Sequence, residues 1–291
     1  MNHRDDRSAA AMTSKAMARP VAPGKEGAPP QPLHFVDHGP VSGPAIVFVN
    51  GSYFGTEMGE CQMLPLATEG FRYVAFDRRG HGRSEDVWGG FDLDMLAGDL
   101  GALLDHLDLR DVTLVGHSFG TAEAVRHLTL SGERVARVVS NSGVAPGPAR
   151  SSDHAEGLDP ELLRAFNETF RQDRAKFFAD GADAFFARHL PGPSAPDAYV
   201  AHMVGLCRGA TARAGTALND LLPSLNLVPE LAKIDRPVLV THASAPLHLS
   251  GRRAAALIPG AALHVYENAG HGLFATHADR LNEDLRTFAR T

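Results

Sequence analysis

Several residue types are scarce in this sequence, and each shortage closes off a class of protein. Only two cysteines, Cys61 and Cys207, occur in 291 residues. They could close one disulfide at most, which excludes a disulfide-stapled scaffold, and they are read as two free thiols. No apolar stretch of the chain approaches the ~20 residues that a membrane-spanning helix needs. Basic residues come only in short pairs such as Arg78-Arg79 and Arg252-Arg253, and the formal net charge is −6. Neither nucleic acid nor an anionic membrane is therefore expected as a partner. The charged start (His3, Arg4, Asp5, Asp6, Arg7) has no apolar stretch behind it, so no secretory signal is expected. These absences fit a cytoplasmic protein that acts on a small molecule. No feature of the sequence sets an oligomeric state.

What is present is ordinary for a globular protein: 44% hydrophobic and 21% charged residues, in a chain long enough for a large core. Residues 1–32 are rich in Ala, Pro, Gly and Ser without a hydrophobic period. They are expected to form a disordered tail, with a hidden edge strand as the alternative. From residue 33 short β-branched runs recur at 45–49, 73–76, 112–115, 135–139, 238–240 and 263–266. Nearly continuous apolar runs of this length read as strands covered on both faces. Between them Leu96, Leu100, Leu103, Leu104 and Leu107 form one helical stripe, and Leu281, Leu285 and Phe288 form another. Alternating strands and helices predict an α/β fold with a mostly parallel sheet and helices on both faces. Residues 148–230 break the rhythm with helical segments carrying Phe166, Phe170, Phe177, Phe178, Phe185 and Phe186. They are expected to be a helical cap subdomain inserted between two parts of the core, 33–147 and 231–291. Its phenylalanines either pack the cap's own small core or face an apolar substrate.

Gly116-His117-Ser118-Phe119-Gly120 matches G-x-S-x-G. The match alone is weak, but it follows the run Val112-Thr113-Leu114-Val115 and precedes a helical pattern at Ala122, Val125 and Leu128. That is the strand–turn–helix setting of a nucleophile elbow, in which small glycines permit a sharp turn that exposes the serine. A serine needs a base, and in this arrangement the base comes last in chain order. His271, in Gly270-His271-Gly272 after the final strand, has that place among 15 histidines. His117 is read as packing, and the rest, His242 and His248 among them, as ordinary. A developing oxyanion needs donors. The N–H of Phe119 is one, and the N–H of Ser52, in the loop Asn50-Gly51-Ser52-Tyr53 after the 45–49 strand, is the other, with Tyr53 next in line.

The runs FVNGSYFG, VAFDRRGHGRSEDVWGGFDLDMLAGDL, LDLRDVTLVGHSFG and LIPGAALHVYENAGHG resemble those of the α/β-hydrolase superfamily, nearest its cofactor-free bacterial haloperoxidase and aryl esterase branch. The resemblance runs from about residue 33 to the C-terminus and is weakest in the cap. It implies the α/β-hydrolase fold, a Ser-His-acid triad, hydrolysis of an ester or perester, and no metal or haem cofactor. It assigns Ser118 as nucleophile, His271 as base, and Ser52 and Phe119 as oxyanion donors. It also covers 76–84, Phe76-Asp77-Arg78-Arg79-Gly80-His81-Gly82-Arg83-Ser84, a signature that shapes a loop, with Asp77 structural.

The triad acid is what the sequence lacks most conspicuously. The branch places an aspartate after the strand at 237–241, yet no Asp or Glu occurs in residues 236–266. Some relatives place it after the strand ending near 139, and none occurs in 135–152 either. Losing the acid costs about 10⁴ in rate in a serine protease. Asn141 could orient the imidazole through its amide oxygen and is the candidate third member. Ser244, a water or Glu267 are the other candidates. Two functions follow. One is a serine hydrolase (esterase, lactonase or thioesterase) acting on a small apolar substrate with an atypical acid. The other is a hydrolase scaffold turned to a cyclase or lyase step, or to ligand binding.

Overall fold

In a computed structural model describing residues 13–16, 33–244 and 250–291, the β-branched runs lie side by side in one sheet. Its strands are β1 (Thr13–Ala16), β2 (His34–His38), β3 (Ala45–Val49), β4 (Arg72–Phe76), β5 (Val112–His117), β6 (Val135–Asn141), β7 (Val238–Ala243) and β8 (Ala262–Tyr266). Their order is β1-β2-β4-β3-β5-β6-β7-β8. β1–β2 and β2–β4 pair antiparallel, and the six strands from β3 to β8 pair in parallel. This is the α/β-hydrolase fold. β1 is the edge strand left as the alternative within residues 1–32. It corrects the wholly disordered tail over Thr13–Ala16, and 1–12 and 17–32 lie outside the described residues.

Side chains alternate across the strands, so each parallel strand feeds two cores. Val47 and Val49 of β3 join Leu96, Leu100, Leu103 and Leu104 of α2 (Leu93–His106). Ile46 and Phe48 join Leu66 of α1 (Glu60–Thr68) and Leu281 and Leu285 near the C-terminus. Those four α2 leucines are at most 1% exposed, each stabilising the fold by about 1.5–3 kcal/mol relative to exposure. Asp92 caps α2 by accepting the Met95 N–H at 3.0 Å. The polar β2 gave no apolar run. Its Asp37 is held by a bidentate ion pair from Arg72 on β4, at 2.9 and 2.8 Å.

Between β6 and β7 the chain makes helices rather than strands. After α3 (Phe119–Ser131) come α4 (Pro160–Gln172), α5 (Arg174–Phe185), α6 (Asp197–Cys207) and α7 (Ala212–Leu221). Phe170 of α4, Phe178 of α5 and Met203 of α6 join the same core as Phe48 and Phe54. Because β3 to β8 are parallel, the loops leaving their C-terminal ends collect at one edge of the sheet, where α/β folds bind ligands. No helix among the described residues is long and apolar enough to cross a membrane.

Candidate active site

Ser118 sits at the β5–α3 junction with φ +53° and ψ −121°, a conformation that a side chain rarely adopts. Such strain costs about 1–3 kcal/mol and persists only when surrounding contacts hold it. Here the Ser118 N–H donates to the Asn141 carbonyl at 3.1 Å, and the Ser118 carbonyl accepts from Thr121 and Val144 at 3.1 and 3.2 Å. Gly120 allows the close approach beneath: a Cβ there would stand 2.0 Å from the Val49 carbonyl oxygen. The start of α3 thus lies against the end of β3 and brings the 50–53 loop to the elbow. The Phe119 N–H belongs to the first turn of α3, where amides have no intrahelical acceptor.

His271 follows β8 on a loop pressed against the end of α5. The Gly272 N–H donates to the Phe185 carbonyl at 2.8 Å, and a Cβ on Gly272 would fall 2.5 Å from the Phe186 ring. The His271 ring packs edge-on against Phe185 at 5.2 Å and against His117 at 4.9 Å between centroids. His117 Nε2 also bonds the His271 carbonyl at 3.1 Å. The residue preceding Ser118 therefore ties the elbow to the loop that carries His271, a part that the packing role read from the sequence does not include. The signal was adjacency to Ser118 alone, which names no partner.

The candidates for a third member have other contacts. Asn141 is buried at the end of β6, beside His117 in the sheet register, and its amide oxygen accepts from the Thr241 hydroxyl at 3.0 Å. Ser244 Oγ accepts the Asn268 N–H at 2.9 Å, and Glu267 is exposed. Residues 245–249, with His248, lie outside the described residues.

The segment after β4 braces the site. Asp77 accepts the N–H groups of Thr56 at 2.6 Å and Arg83 at 2.8 Å, a structural carboxylate. Arg79 forms a buried two-point pair with Asp99 of α2 at 2.7 and 2.6 Å. Arg78 pairs with Glu123 of α3 at 2.5 Å, and burial raises the Glu123 pKa. The same guanidinium donates to the carbonyls of Asn50 and Gly51 at 2.8 and 3.2 Å.

A cavity of about 700 Å³ opens under α5 and α6. Tyr53, Phe54, Phe177, Phe185 and Met203 line it, and Asp173, Lys176 and Asp180 stand at its polar rim. Of the expected catalytic residues His271 lines it, and Ser118 is half-buried. The Tyr53 hydroxyl donates to Asn219 of α7 at 2.6 Å, and its ring stacks on Phe170 at 5.4 Å. Cys61 and Cys207 are free thiols, and burial pushes Cys207, in the cavity wall, up to about 12. Its thiol stays protonated at neutral pH. No group of three His, Cys, Asp or Glu among the described residues could hold a metal ion.

Comparison with known proteins gives consistent results. The profile described as "Alpha/beta hydrolase family" matches residues 46–284. The chain is 33% identical to a non-heme chloroperoxidase, CPO-A1, of Kitasatospora aureofaciens, over 84% of this chain and 92% of that one. It is 31% identical to a bifunctional esterase/perhydrolase of Acinetobacter calcoaceticus, over 89% and 96%. A bromoperoxidase from Bacillus anthracis superposes with a TM-score of 0.84 at 28% identity, covering 97% of this chain and 100% of that one.

Proposed function

We propose, on the premise that this chain belongs to the alpha/beta hydrolase family and is an enzyme, that it hydrolyses esters of small apolar acids or alcohols through Ser118 and His271. The observation that carries the reading is the backbone of Ser118, held at φ +53° by three hydrogen bonds. A binding protein has no use for a strained serine tied, through His117, to a histidine loop.

In this mechanism His271 takes the Ser118 hydroxyl proton as Oγ attacks the ester carbonyl carbon. The N–H groups of Phe119 and Ser52 stabilise the oxyanion. Collapse expels the alcohol, protonated by His271, and leaves an acyl-serine. Water, deprotonated by His271, then attacks that ester, releases the acid and returns the proton to Ser118. The apolar cavity receives the acyl or aryl group. Its volume of about 700 Å³ leaves room for a substituted aromatic acid or a medium-length chain.

One observation favours the second reading, a scaffold turned to a non-hydrolytic step: the lack of any carboxylate in 236–266. Intact-mass labelling with a fluorophosphonate separates the two. Adduct formation that is lost in both Ser118→Ala and His271→Ala supports the hydrolase. A folded wild-type protein that takes no label overturns it.

A further inference from the structure

The 76–84 signature holds one residue that the proposed chemistry leaves without a task. His81 is buried, and its two ring nitrogens each face a backbone carbonyl: Nδ1 meets Arg79 at 2.9 Å and Nε2 meets Ser52 at 2.6 Å. A neutral imidazole carries one N–H, and we assign it to Nε2, at the shorter contact. The acceptor is the carbonyl of the peptide that joins Ser52 to Tyr53. One peptide earlier, the Gly51 carbonyl accepts from Arg78 Nη1 at 3.2 Å. In a trans peptide the N–H points opposite to the C=O. Holding these two carbonyls toward the 77–84 segment therefore turns the N–H groups of Ser52 and Tyr53 away from it. The same loop meets the elbow, where a Cβ on Gly51 would come within 3.0 Å of the His117 ring.

We propose that His81 is a positioning residue for the oxyanion hole: its N–H to the Ser52 carbonyl fixes the Ser52–Tyr53 peptide, and with it the adjoining Gly51–Ser52 peptide whose N–H is the second donor. This rests on the hydrolase reading above. Two adjoining peptides gripped by two side chains of one segment form a fixed cradle, and preorganised donors act because they need not reorient during the reaction. Arg78 is anchored in turn by Glu123 of α3, the helix that begins at the elbow. The loop and the Phe119 amide are thus referenced to one helix.

The test is steady-state hydrolysis of p-nitrophenyl butyrate by the full chain, with His81→Ala, His81→Gln and His81→Asn compared with wild type. Loss of one whole oxyanion donor costs about 10²–10³ in kcat, so misorienting it should cost His81→Ala about 10-fold to 100-fold in kcat with KM changed less than about threefold. A Gln amide can place an N–H near the position of Nε2, whereas the shorter Asn cannot. Gln should restore most of kcat and Asn should not. If kcat in His81→Ala stays within twofold of wild type, or if Gln and Asn fall equally while both remain folded by circular dichroism, the assignment is overturned. Fluorophosphonate labelling of wild type keeps the two ideas apart: a labelled wild type with unaffected His81 variants sinks only the positioning role, while an unlabelled one sinks the hydrolase reading and the positioning role with it.

Discussion

Lowering the pH from 7 to 5 places the buried His81 ring under a calculable stress. Two carbonyls on the ring favour its cation, but burial and then the Arg78 guanidinium outweigh them and lower its pKa to about 4. In the unfolded chain the ring titrates near 6.5, so below that pH the unfolded state takes up a proton that the native state refuses. Stability is therefore unaffected above about pH 7, falls as the pH drops through 6.5, and levels off below about 4. The full shift is worth about 3 kcal/mol, of which about 2 kcal/mol falls between pH 7 and pH 5. His34, His38, His127, His154 and His277 are also lowered, chiefly by burial, and add loss in the same direction. Urea unfolding of wild type and His81→Gln at both pH values isolates the contribution of the His81 ring, because Gln can donate to Ser52 but does not titrate. The variant should lose about 2 kcal/mol less than wild type on acidification. Equal losses in the two proteins would refute a neutral buried His81.

Three further perturbations address other parts of the site. Ser118→Gly should raise stability by about 1 kcal/mol while abolishing ester turnover, because glycine adopts positive φ without strain; a lower melting temperature would show that Ser118 is not strained. Glu123→Ala strands the Arg78 guanidinium in a buried site and should cost about 3–5 kcal/mol in denaturant unfolding, and a loss under 1 kcal/mol would mean that the pair is weakly coupled. Asn141→Asp should raise kcat for p-nitrophenyl esters and Asn141→Ala should lower it, as expected if a group at the end of β6 orients His271; unchanged kcat in both variants removes Asn141 from the site.

The local code was legible where one segment carries its own signal. Nearly continuous β-branched runs marked β3 to β8, helical stripes marked α2 and the C-terminal helix (Ala278–Phe288), and G-x-S-x-G between a strand and a helix marked the turn at Ser118. The place of His271 on the loop after β8 was legible from chain order. β2 was not, because His34, Asp37 and His38 are polar, and the strand is held by Arg72 and the edge pairing rather than by an apolar run. Nor could the sequence show that Phe177 and Phe185 line a cavity, since a phenylalanine at helical spacing packs equally well into a helix's own core.

The sequence by itself determined the parallel α/β layering, the strained serine and the missing carboxylate of residues 236–266, because each is a property of neighbours along the chain. Only the tertiary structure decided that His117 bonds the carbonyl of His271, 154 residues away, and that His81 bonds that of Ser52, 29 residues away. Those contacts join loops from separate strand ends. They form only when the parallel sheet gathers the ends at one edge and burial makes each unpaired polar group costly.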